Sequence, residues 1–227
     1  GLDRQPERGK RHMKTMRLAT WVLAAVPPVL LALCWGGLPD RVPVHWGLDG
    51  AVTYGARWEL VVPALLPLLL LALLRFLPRL DPKRRNYEKF QTYYEAFSLV
   101  LVAFIAVMMG VALLESFRPG TLSMGRVVSA LVGLLFLFLG NLMGKVKPNF
   151  FMGIRNPWTL SDPDVWNRAH RLGGGLFFLT GLASVVSAIL LPEPVTFAVL
   201  MAGTLLTALI PTVMSYFWYK KVAGSNP

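Results

Sequence analysis

Six long apolar runs alternate with shorter polar segments along the 227-residue chain. They cover residues 18–38, 58–77, 96–114, 127–143, 172–191 and 194–219. Each run is close to the ~20 residues that cross a bilayer as a helix. Because lipid offers no hydrogen-bond partners to the backbone, such runs span a membrane as helices. The pattern therefore predicts an all-α fold, a polytopic six-helix transmembrane bundle, and the short "PEP" turn at Pro192 makes the last two helices a tight hairpin.

The composition supports this class of protein. Hydrophobic residues make up 55% of the chain and charged residues 15%, whereas globular domains carry about 25% charged residues. The first run is too long for a cleaved signal peptide, and no small-residue cleavage site follows it. The one cysteine, Cys34, lies in an apolar run, so an intrachain disulfide is excluded.

The basic residues predict the orientation in the membrane. Nineteen of the 23 lysines and arginines fall in four segments, the tail up to Arg17, residues 75–89, residues 145–171, and Lys220–Lys221. By the positive-inside rule, both termini and the segment 145–171 face the cytoplasm, and the loop 39–57 faces outward. Residues up to His12 are interpreted as partly introduced by cloning, with Met13 as the native start.

No Asp, Glu, Lys, Arg or His lies in the middle of any of the six runs. Proton- and ion-coupled transporters usually need such groups within the membrane, so this pattern weighs against a pump and leaves a passive pathway open. In the fourth run, small residues recur at four- and seven-residue steps and include the G-x-x-x-G of Gly140 and Gly144. Packing within the chain is favoured for this face, and an oligomer formed through Gly140 and Gly144 is the alternative.

The outward loop 39–57 is rich in proline, glycine and aromatic residues, which predicts an ordered loop rather than a flexible linker. Its candidate functional residues are Pro43, His45, Trp46, Gly50, Tyr54 and Gly55. His45 lies near Asp40 and Asp49, but this spacing matches no standard metal-ligand pattern. A structural histidine is therefore favoured, and no metal site is predicted.

The inward segment 145–171 is dense in Trp, Arg, Asn and Pro. Its first part is predicted to be an irregular aromatic loop. A short interfacial helix is then predicted, with Ser161 as the N-cap and Asp162 and Asp164 in the first turn, where the helix dipole favours anions. This helix is expected to turn into the fifth span at Gly173.

Two interpretations of this segment remain open. In the structural interpretation, Arg155 and Arg171 cap helix ends and hold lipid phosphates, while Trp158 and Trp166 anchor the loop in the interface. In the functional interpretation, the same side chains form a docking surface for a cytoplasmic partner or a lipid headgroup. His170 has no acidic partner four residues away and no evident nucleophile, so no catalytic residue is predicted.

The stretch from Asn141 to Gly173 resembles the signature of the SdpI family of bacterial membrane proteins. The residues that carry this resemblance are Asn141, Lys147, Pro148, Asn149, Gly153, Arg155, Pro157, Trp158, Thr159, Trp166, His170, Arg171 and Gly173. The upstream stretch from Pro39 to Gly55 is similar to the domain of unknown function that often precedes the family. The chain is accordingly divided into a basic tail (1–17), the first two spans with their loop and connector (18–94) and an SdpI-like region (95–227).

The resemblance implies an immunity protein in the bacterial cytoplasmic membrane, without enzymatic activity or cofactor. Such a protein would protect against a secreted peptide toxin that acts on the membrane, and it would recruit a cytoplasmic transcriptional repressor through its inward loop. Two other classes of function stay open. One is a small-solute channel or transporter. The other is a lipid-acting membrane enzyme that uses His45 or His170, although these two histidines are predicted on opposite faces of the membrane.

Overall fold

The computed structural model describes residues 5–47 and 51–224, and it is helical over most of that length. The helices are α1 (Gln5–Cys34), α2 (Val61–Leu80), α3 (Gln91–Phe117), α4 (Met124–Met143), the short α5 (Pro157–Ser161), α6 (Pro163–Leu190) and α7 (Glu193–Gly224). The six long helices coincide with the six apolar runs, and all are long and apolar enough to span a membrane. The predicted all-α polytopic bundle is confirmed. Only two residues separate α6 from α7, as the "PEP" turn predicts.

The start of α6 differs from the prediction by one residue. Asp162 is its N-cap, because the Asp162 carboxylate accepts hydrogen bonds from the backbone N–H groups of Asp164 and Val165. Ser161 instead ends α5, which is the short helix of the inward segment. Residues 163–171 form the first turns of α6, and this helix continues without a break through Gly173. The predicted turn at Gly173 is therefore wrong.

The loop between α1 and α2 is a β-hairpin, which the sequence analysis did not predict. Strands β1 (Arg41–Trp46) and β2 (Val52–Ala56) pair antiparallel, with an irregularity between Pro43 and His45. A single turn of 3-10 helix precedes the hairpin at Trp35–Gly37, and another follows it at Arg57–Leu60. We refer to residues 41–56 as the outer hairpin.

The chain forms two compact units. The first comprises residues 1–76 and 94–124, and the second comprises residues 77–93 and 125–227. In the first unit, the fully buried Val42 of β1 joins an apolar core with residues of the surrounding helices, namely Leu31, Leu38, Leu60, Ala64, Met109 and Leu113. The outer hairpin is thereby fixed to the helices of its own unit by burial of apolar surface.

In the second unit, glycines bring α4 and α6 into close contact. A Cβ atom added to Gly140 would lie 2.6 Å from the carbonyl oxygen of Gly174, and one added to Gly181 would lie 2.5 Å from that of Gly133. Small residues permit such a close approach of two helix backbones. Gly140 is therefore used for packing within the chain, while Gly144 meets no described atom within 4 Å.

Candidate functional site

The candidate site is the segment 145–171, which we call the motif loop, and Asn149 organises its first half. The side-chain oxygen of the buried Asn149 accepts hydrogen bonds from the backbone N–H groups of Phe151 (2.9 Å) and Met152 (2.7 Å). Its side-chain nitrogen donates to the carbonyl oxygens of Lys147 (2.8 Å) and Met152 (3.0 Å). The Tyr87 hydroxyl is a further donor to Asn149, at 3.3 Å. One buried amide thus satisfies the polar backbone groups of a turn that has no regular secondary structure.

The connector between α2 and α3, residues 81–90, holds the motif loop from the other side. The carboxylate of Asp81 is buried and accepts hydrogen bonds from the Phe150 backbone N–H (2.9 Å), the Tyr87 hydroxyl (2.8 Å) and the Lys83 backbone N–H (2.8 Å). A buried carboxylate is stable when its oxygens accept several hydrogen bonds in this way. The connector and the motif loop are therefore parts of one folded surface.

The sequence analysis missed this role of the connector. The side chain of Asn86 also donates to the Pro148 carbonyl, at 2.8 Å. The sequence analysis used the connector only for its basic residues, as evidence for the membrane topology. The hydrogen bonds that hold the motif loop come from Asp81, Asn86 and Tyr87. The available signal was an aspartate, an asparagine and a tyrosine within a mostly basic stretch.

His170 and Trp166 support the second half of the motif loop from α6. Their rings stack with centroids 4.0 Å apart, and the Trp166 indole N–H donates to the Val146 carbonyl (3.0 Å). His170 Nε2 accepts from the Ile154 backbone N–H (3.0 Å), so Nδ1 carries the proton and donates to the Trp166 carbonyl (2.8 Å). A Cβ atom on Gly153, where φ is +110°, would collide with this ring. Both nitrogens of the neutral imidazole are thus engaged in holding the loop.

The "NPWT" residues form a capped helix start. The Asn156 side chain accepts from the backbone N–H groups of Trp158 and Thr159, and the Thr159 hydroxyl oxygen accepts from the Asn156 N–H, at 3.1 Å. Pro157 occupies the first helical position, which needs no N–H donor. The buried Thr159 also donates to the Ile154 carbonyl (2.8 Å). This reciprocal cap explains why the sequence contains Asn, Pro and Thr at this spacing.

Two contacts attach α5 to α7. The side-chain nitrogen of Asn156 donates to the Ser215 hydroxyl (2.9 Å). The Trp158 ring packs edge-to-face on Tyr216, with ring centroids 5.2 Å apart. Trp158 is therefore packed against a neighbouring helix, and its place in the membrane interface stays a prediction.

A different set of residues projects from the surface of the motif loop. Phe150 is 41% exposed and contacts two cations, one through its ring and one through its backbone carbonyl. Lys83 Nζ is 5.6 Å from the centre of the Phe150 ring and donates to the Leu160 carbonyl, while Arg155 Nη1 donates to the Phe150 carbonyl at 2.7 Å. The structural interpretation predicts that Arg155 caps a helix end. Arg155 instead bonds to the carbonyl of Phe150, which lies outside any helix. We call Phe150, Arg155 and the half-buried Lys83 of the connector the exposed triad.

The surroundings of the exposed triad are strongly basic. Within residues 81–90 and 145–171, only Glu88 and Asp164 are exposed acids. The exposed basic residues of the same segments are Arg84, Arg85, Lys89, Lys145, Lys147, Arg155, Arg168 and Arg171. This surface favours acidic partners or anionic lipid headgroups.

The other predicted residues of the motif loop have separate positions. Asn141 is exposed and donates to the Leu137 carbonyl within α4. The side chains of Lys147 and Arg171 are exposed, so they do not take part in the buried network. Gly173 is buried where a Cβ atom would lie 2.5 Å from Ile154 Cδ1.

The predicted outward residues lie in the outer hairpin, except Gly50, which is outside the described residues. Pro43 is buried and pairs with Tyr54, while the exposed His45 pairs with Thr53. Trp46 pairs with Val52 and Gly55 with Val42. No group of three or more His, Cys, Asp or Glu side chains suited to a metal occurs within residues 5–47 and 51–224.

Comparison with known proteins agrees with this architecture. The model of the SdpI/YfhL protein family matches residues 145–215, which include the motif loop, α6 and much of α7. The model of the domain of unknown function DUF1648 matches residues 22–77. The chain is thus a multi-span membrane protein that matches the DUF1648 model in its first part and the SdpI/YfhL model in its second, and the resemblance to the SdpI family is confirmed.

A curated relative supports the same assignment. The chain is 21% identical over 189 residues to the protein named Immunity protein SdpI of Bacillus subtilis (strain 168). This match covers 83% of the chain and 88% of the relative. No solved structure matches the chain.

Proposed function

We propose that this protein is an integral membrane immunity protein that protects a bacterium from a membrane-acting peptide toxin. The observation that carries the proposal is the similarity to an immunity protein over 83% of the chain, a region that contains both the outer hairpin and the motif loop. The six membrane-spanning helices agree with such a role.

The motif loop is proposed to dock a cytoplasmic partner through the exposed triad. An exposed aromatic ring beside an arginine is typical of the residues that dominate protein interfaces. Lys83 and Arg155 are already held by hydrogen bonds to carbonyl oxygens, at 3.2 Å and 2.7 Å. Because these side chains are partly ordered before binding, less entropy is lost when a partner binds. The basic surroundings favour an acidic partner, and a transcriptional repressor is the partner that the family resemblance implies.

The buried motif residues are proposed to have a different task. Asn149, Thr159, Trp166 and His170 are buried and occupied by hydrogen bonds within the loop. They hold the shape of the surface and leave the partner contacts to exposed side chains. The proposal thus gives the buried motif residues a supporting role and assigns docking to the exposed triad.

The outer hairpin is proposed as the contact for the toxin. It presents the exposed side chains of His45, Thr53 and Tyr54, while its buried residues fix it to the helices. This assignment depends on the outward orientation predicted from the basic residues.

The protein is proposed to act without catalysis. General-base catalysis needs a free ring nitrogen, and both nitrogens of His170 are engaged. His45 is exposed on the outer hairpin and has no acidic side chain among its cross-strand neighbours. A lipid-acting enzyme is therefore not favoured by either histidine, and the family matches are not described as enzymes.

The test uses a Bacillus subtilis strain that lacks its SdpI protein, expressing this chain and challenged with membrane-acting peptide toxin. We expect survival with the unmodified chain and with Arg168→Ala, which removes an exposed cation of α6 that is not part of the exposed triad. Arg155→Ala and Phe150→Ala should keep the membrane abundance of the protein and lose recruitment of a cytoplasmic partner, measured by microscopy of a fluorescent fusion. Loss of survival and recruitment only in proportion to lost protein would contradict the docking proposal.

A further inference from the structure

A partly enclosed apolar cavity lies within the first unit, between the outer hairpin, α2 and α3. Its volume is about 560 Å³, which falls in the ~300–1,000 Å³ range of pockets that hold small ligands. Strand β1 contributes Trp46, α2 contributes Val62 and Leu66, and α3 contributes Met108 and Ala112. A methionine side chain adapts its shape to different apolar groups. The lining therefore favours an apolar chain or side chain over a polar molecule.

The cavity can be reached from outside the protein. Its lining residues Val62 and Leu66 are 66% and 44% exposed, so the α2 side of the cavity is accessible. They lie five and nine residues into the membrane span that begins at Arg57. At 1.5 Å per residue, these positions are about 8 and 14 Å below the start of the span. The exposed Trp58 at that start is typical of the headgroup level. A molecule that lies just below the headgroups thus meets the opening of the cavity.

Glu59 is the charged side chain that the described part of the chain contributes to the lining. It is exposed, and its Oε1 accepts from the Ala56 backbone N–H at 2.8 Å. None of the ion pairs among the described residues includes Glu59, and the nearby Arg57 lies 3.7 Å from Asp40 instead. The carboxylate of Glu59 is therefore open to a cation from outside. An apolar cavity with an acid at its edge matches a molecule that combines an apolar group with a positive charge.

Peptides that act on membranes have this combination of groups. Such amphipathic peptides carry Lys or Arg on one face and Trp, Phe or Leu on the other, and they bury the apolar face about 5–10 Å into the boundary between headgroups and acyl chains. We propose that the cavity binds an apolar side chain of a cationic amphipathic peptide, while Glu59 pairs with a cation of the same peptide. The assignment rests on the proposed function, in which the peptide is the toxin and the outer hairpin faces outward.

Photo-cross-linking of the full chain in nanodiscs of dioleoylphosphatidylcholine tests this site. The probe is a synthetic amphipathic helix of leucine and lysine with one benzoylphenylalanine on its apolar face. We expect cross-links to residues 104–112, located by mass spectrometry. Ala112→Phe fills the cavity and should lower the cross-linking yield roughly tenfold. Leu114→Phe is the matched control, because it places the same ring at an exposed position of α3 outside the cavity, and it should change the yield by less than about twofold.

A second pair of variants tests the charge. Glu59→Gln keeps an acceptor for the Ala56 N–H but removes the negative charge, and it should lower the yield about threefold. Asp40→Asn removes an exposed acid that does not line the cavity, and it should leave the yield within about 1.5-fold. A peptide with glutamate in place of each lysine should cross-link less than the lysine peptide. Equal yields from the two peptides would remove Glu59 from the site.

Equal yields from Ala112→Phe and Leu114→Phe overturn the proposal. Cross-links of the unmodified chain that map outside the cavity also overturn it, and this result decides the question if Ala112→Phe fails to fold. A phosphatidylcholine with benzophenone on its acyl chain is the competing probe. If the lysine peptide does not displace this lipid from residues 104–112, a bilayer lipid is the occupant and the proposal fails.

The survival assay separates this site from the proposed function. If the unmodified chain gives no protection, the proposed function fails alone, because the cross-linking does not depend on immunity. If Ala112→Phe protects as well as the unmodified chain at equal abundance, the toxin does not use the cavity and its assignment to this site is overturned.

Discussion

The outer hairpin and the motif loop are both ordered connections between membrane-spanning helices, but different interactions order them. The outer hairpin is held by backbone pairing between β1 and β2 and by burial of Val42. The motif loop has little regular backbone pairing, and buried side chains such as Asn149, Asp81 and His170 satisfy its backbone groups instead. A backbone ladder tolerates many side chains, whereas a side-chain acceptor has to be one particular residue.

This difference explains why the motif loop has a recognisable sequence signature. Asn149, Gly153, Thr159 and His170 are each required by a hydrogen bond or by a close contact. Their spacing reflects the geometry of one irregular fold. A specific motif in a membrane protein can therefore encode the shape of a surface, and the proposed docking role falls to other residues, Phe150 and Arg155.

The largest expected effect concerns the two sides of the membrane on which the outer hairpin and the motif loop are predicted to lie. We place single cysteines at Thr53 in the outer hairpin and at Lys147 in the motif loop, in a Cys34→Ser background. The two cysteines should differ in their reaction with a reagent added outside the cell. A membrane-impermeant maleimide applied to intact cells should modify Thr53→Cys and leave Lys147→Cys unmodified, because basic residues favour the cytoplasmic side.

Permeabilised cells provide the control, since both cysteines should then be modified. Both positions are exposed on the protein, so burial does not prevent labelling. Modification of Lys147→Cys alone in intact cells would invert the topology and would place the exposed triad outside the cell.

The second prediction tests the side-chain order of the motif loop. Asn149→Asp keeps the acceptor for Phe151 and Met152 but places carboxylate oxygens against the carbonyl oxygens of Lys147 and Met152. We expect destabilisation by about 3 kcal/mol, since a buried charge loses its donors and meets acceptors. The measurement is the midpoint of thermal denaturation in detergent.

The matched control for this variant is Asn141→Asp. Asn141 lies in the same stretch of chain but is exposed, and its side chain bonds only within α4. We expect a change within about 0.5 kcal/mol. If both variants lowered the midpoint equally, the buried amide would not be what orders the motif loop.

Sequence alone predicted the features that depend on local composition. The six helices and the short connection between α6 and α7 follow from apolar length and from one "PEP" turn. The N-cap of α6 was misplaced by one residue because Ser161 and Asp162 are both good caps, and the structure uses Asp162. The outer hairpin was missed because prolines and glycines at Pro43, Gly50 and Gly55 indicated turns rather than strands.

Only one of the two segments that build the candidate site could be predicted from the sequence. The residues within the motif loop could be named from its unusual composition. Its partners in the connector could not, because Asp81 meets Phe150 across 69 positions and Asn86 meets Pro148 across 62. Local patterns carry no information about contacts so distant in sequence. The ion pairs of Glu95 with Arg17 and Arg75 were missed for the same reason, since these arginines lie 78 and 20 positions away in sequence.

The third prediction separates backbone conformation from close packing. Gly153→Ala and Gly120→Ala both place a Cβ atom on a residue with positive φ, at +110° and +78°. Only the Gly153 Cβ atom would collide with another residue, His170, whereas Gly120 has no described atom within 4 Å. We expect a loss of about 1 kcal/mol for Gly120→Ala and about 3 kcal/mol for Gly153→Ala, because the second adds steric conflict to backbone strain. Equal losses in the denaturation midpoint would mean that His170 moves aside freely.

The smallest expected effect lies in the outer hairpin, where the backbone supplies the order. The Tyr54 side chain is exposed, and the contact that Arg41 makes here is to the Tyr54 carbonyl oxygen, which any residue provides. Tyr54→Ala should therefore change stability by less than about 0.5 kcal/mol. Val42→Ala, on the opposite strand of the same hairpin, removes fully buried methyl groups and should cost about 2 kcal/mol. Thermal denaturation of the two variants in one detergent gives the comparison, and a loss for Tyr54→Ala as large as that for Val42→Ala would show that exposed side chains also hold the hairpin.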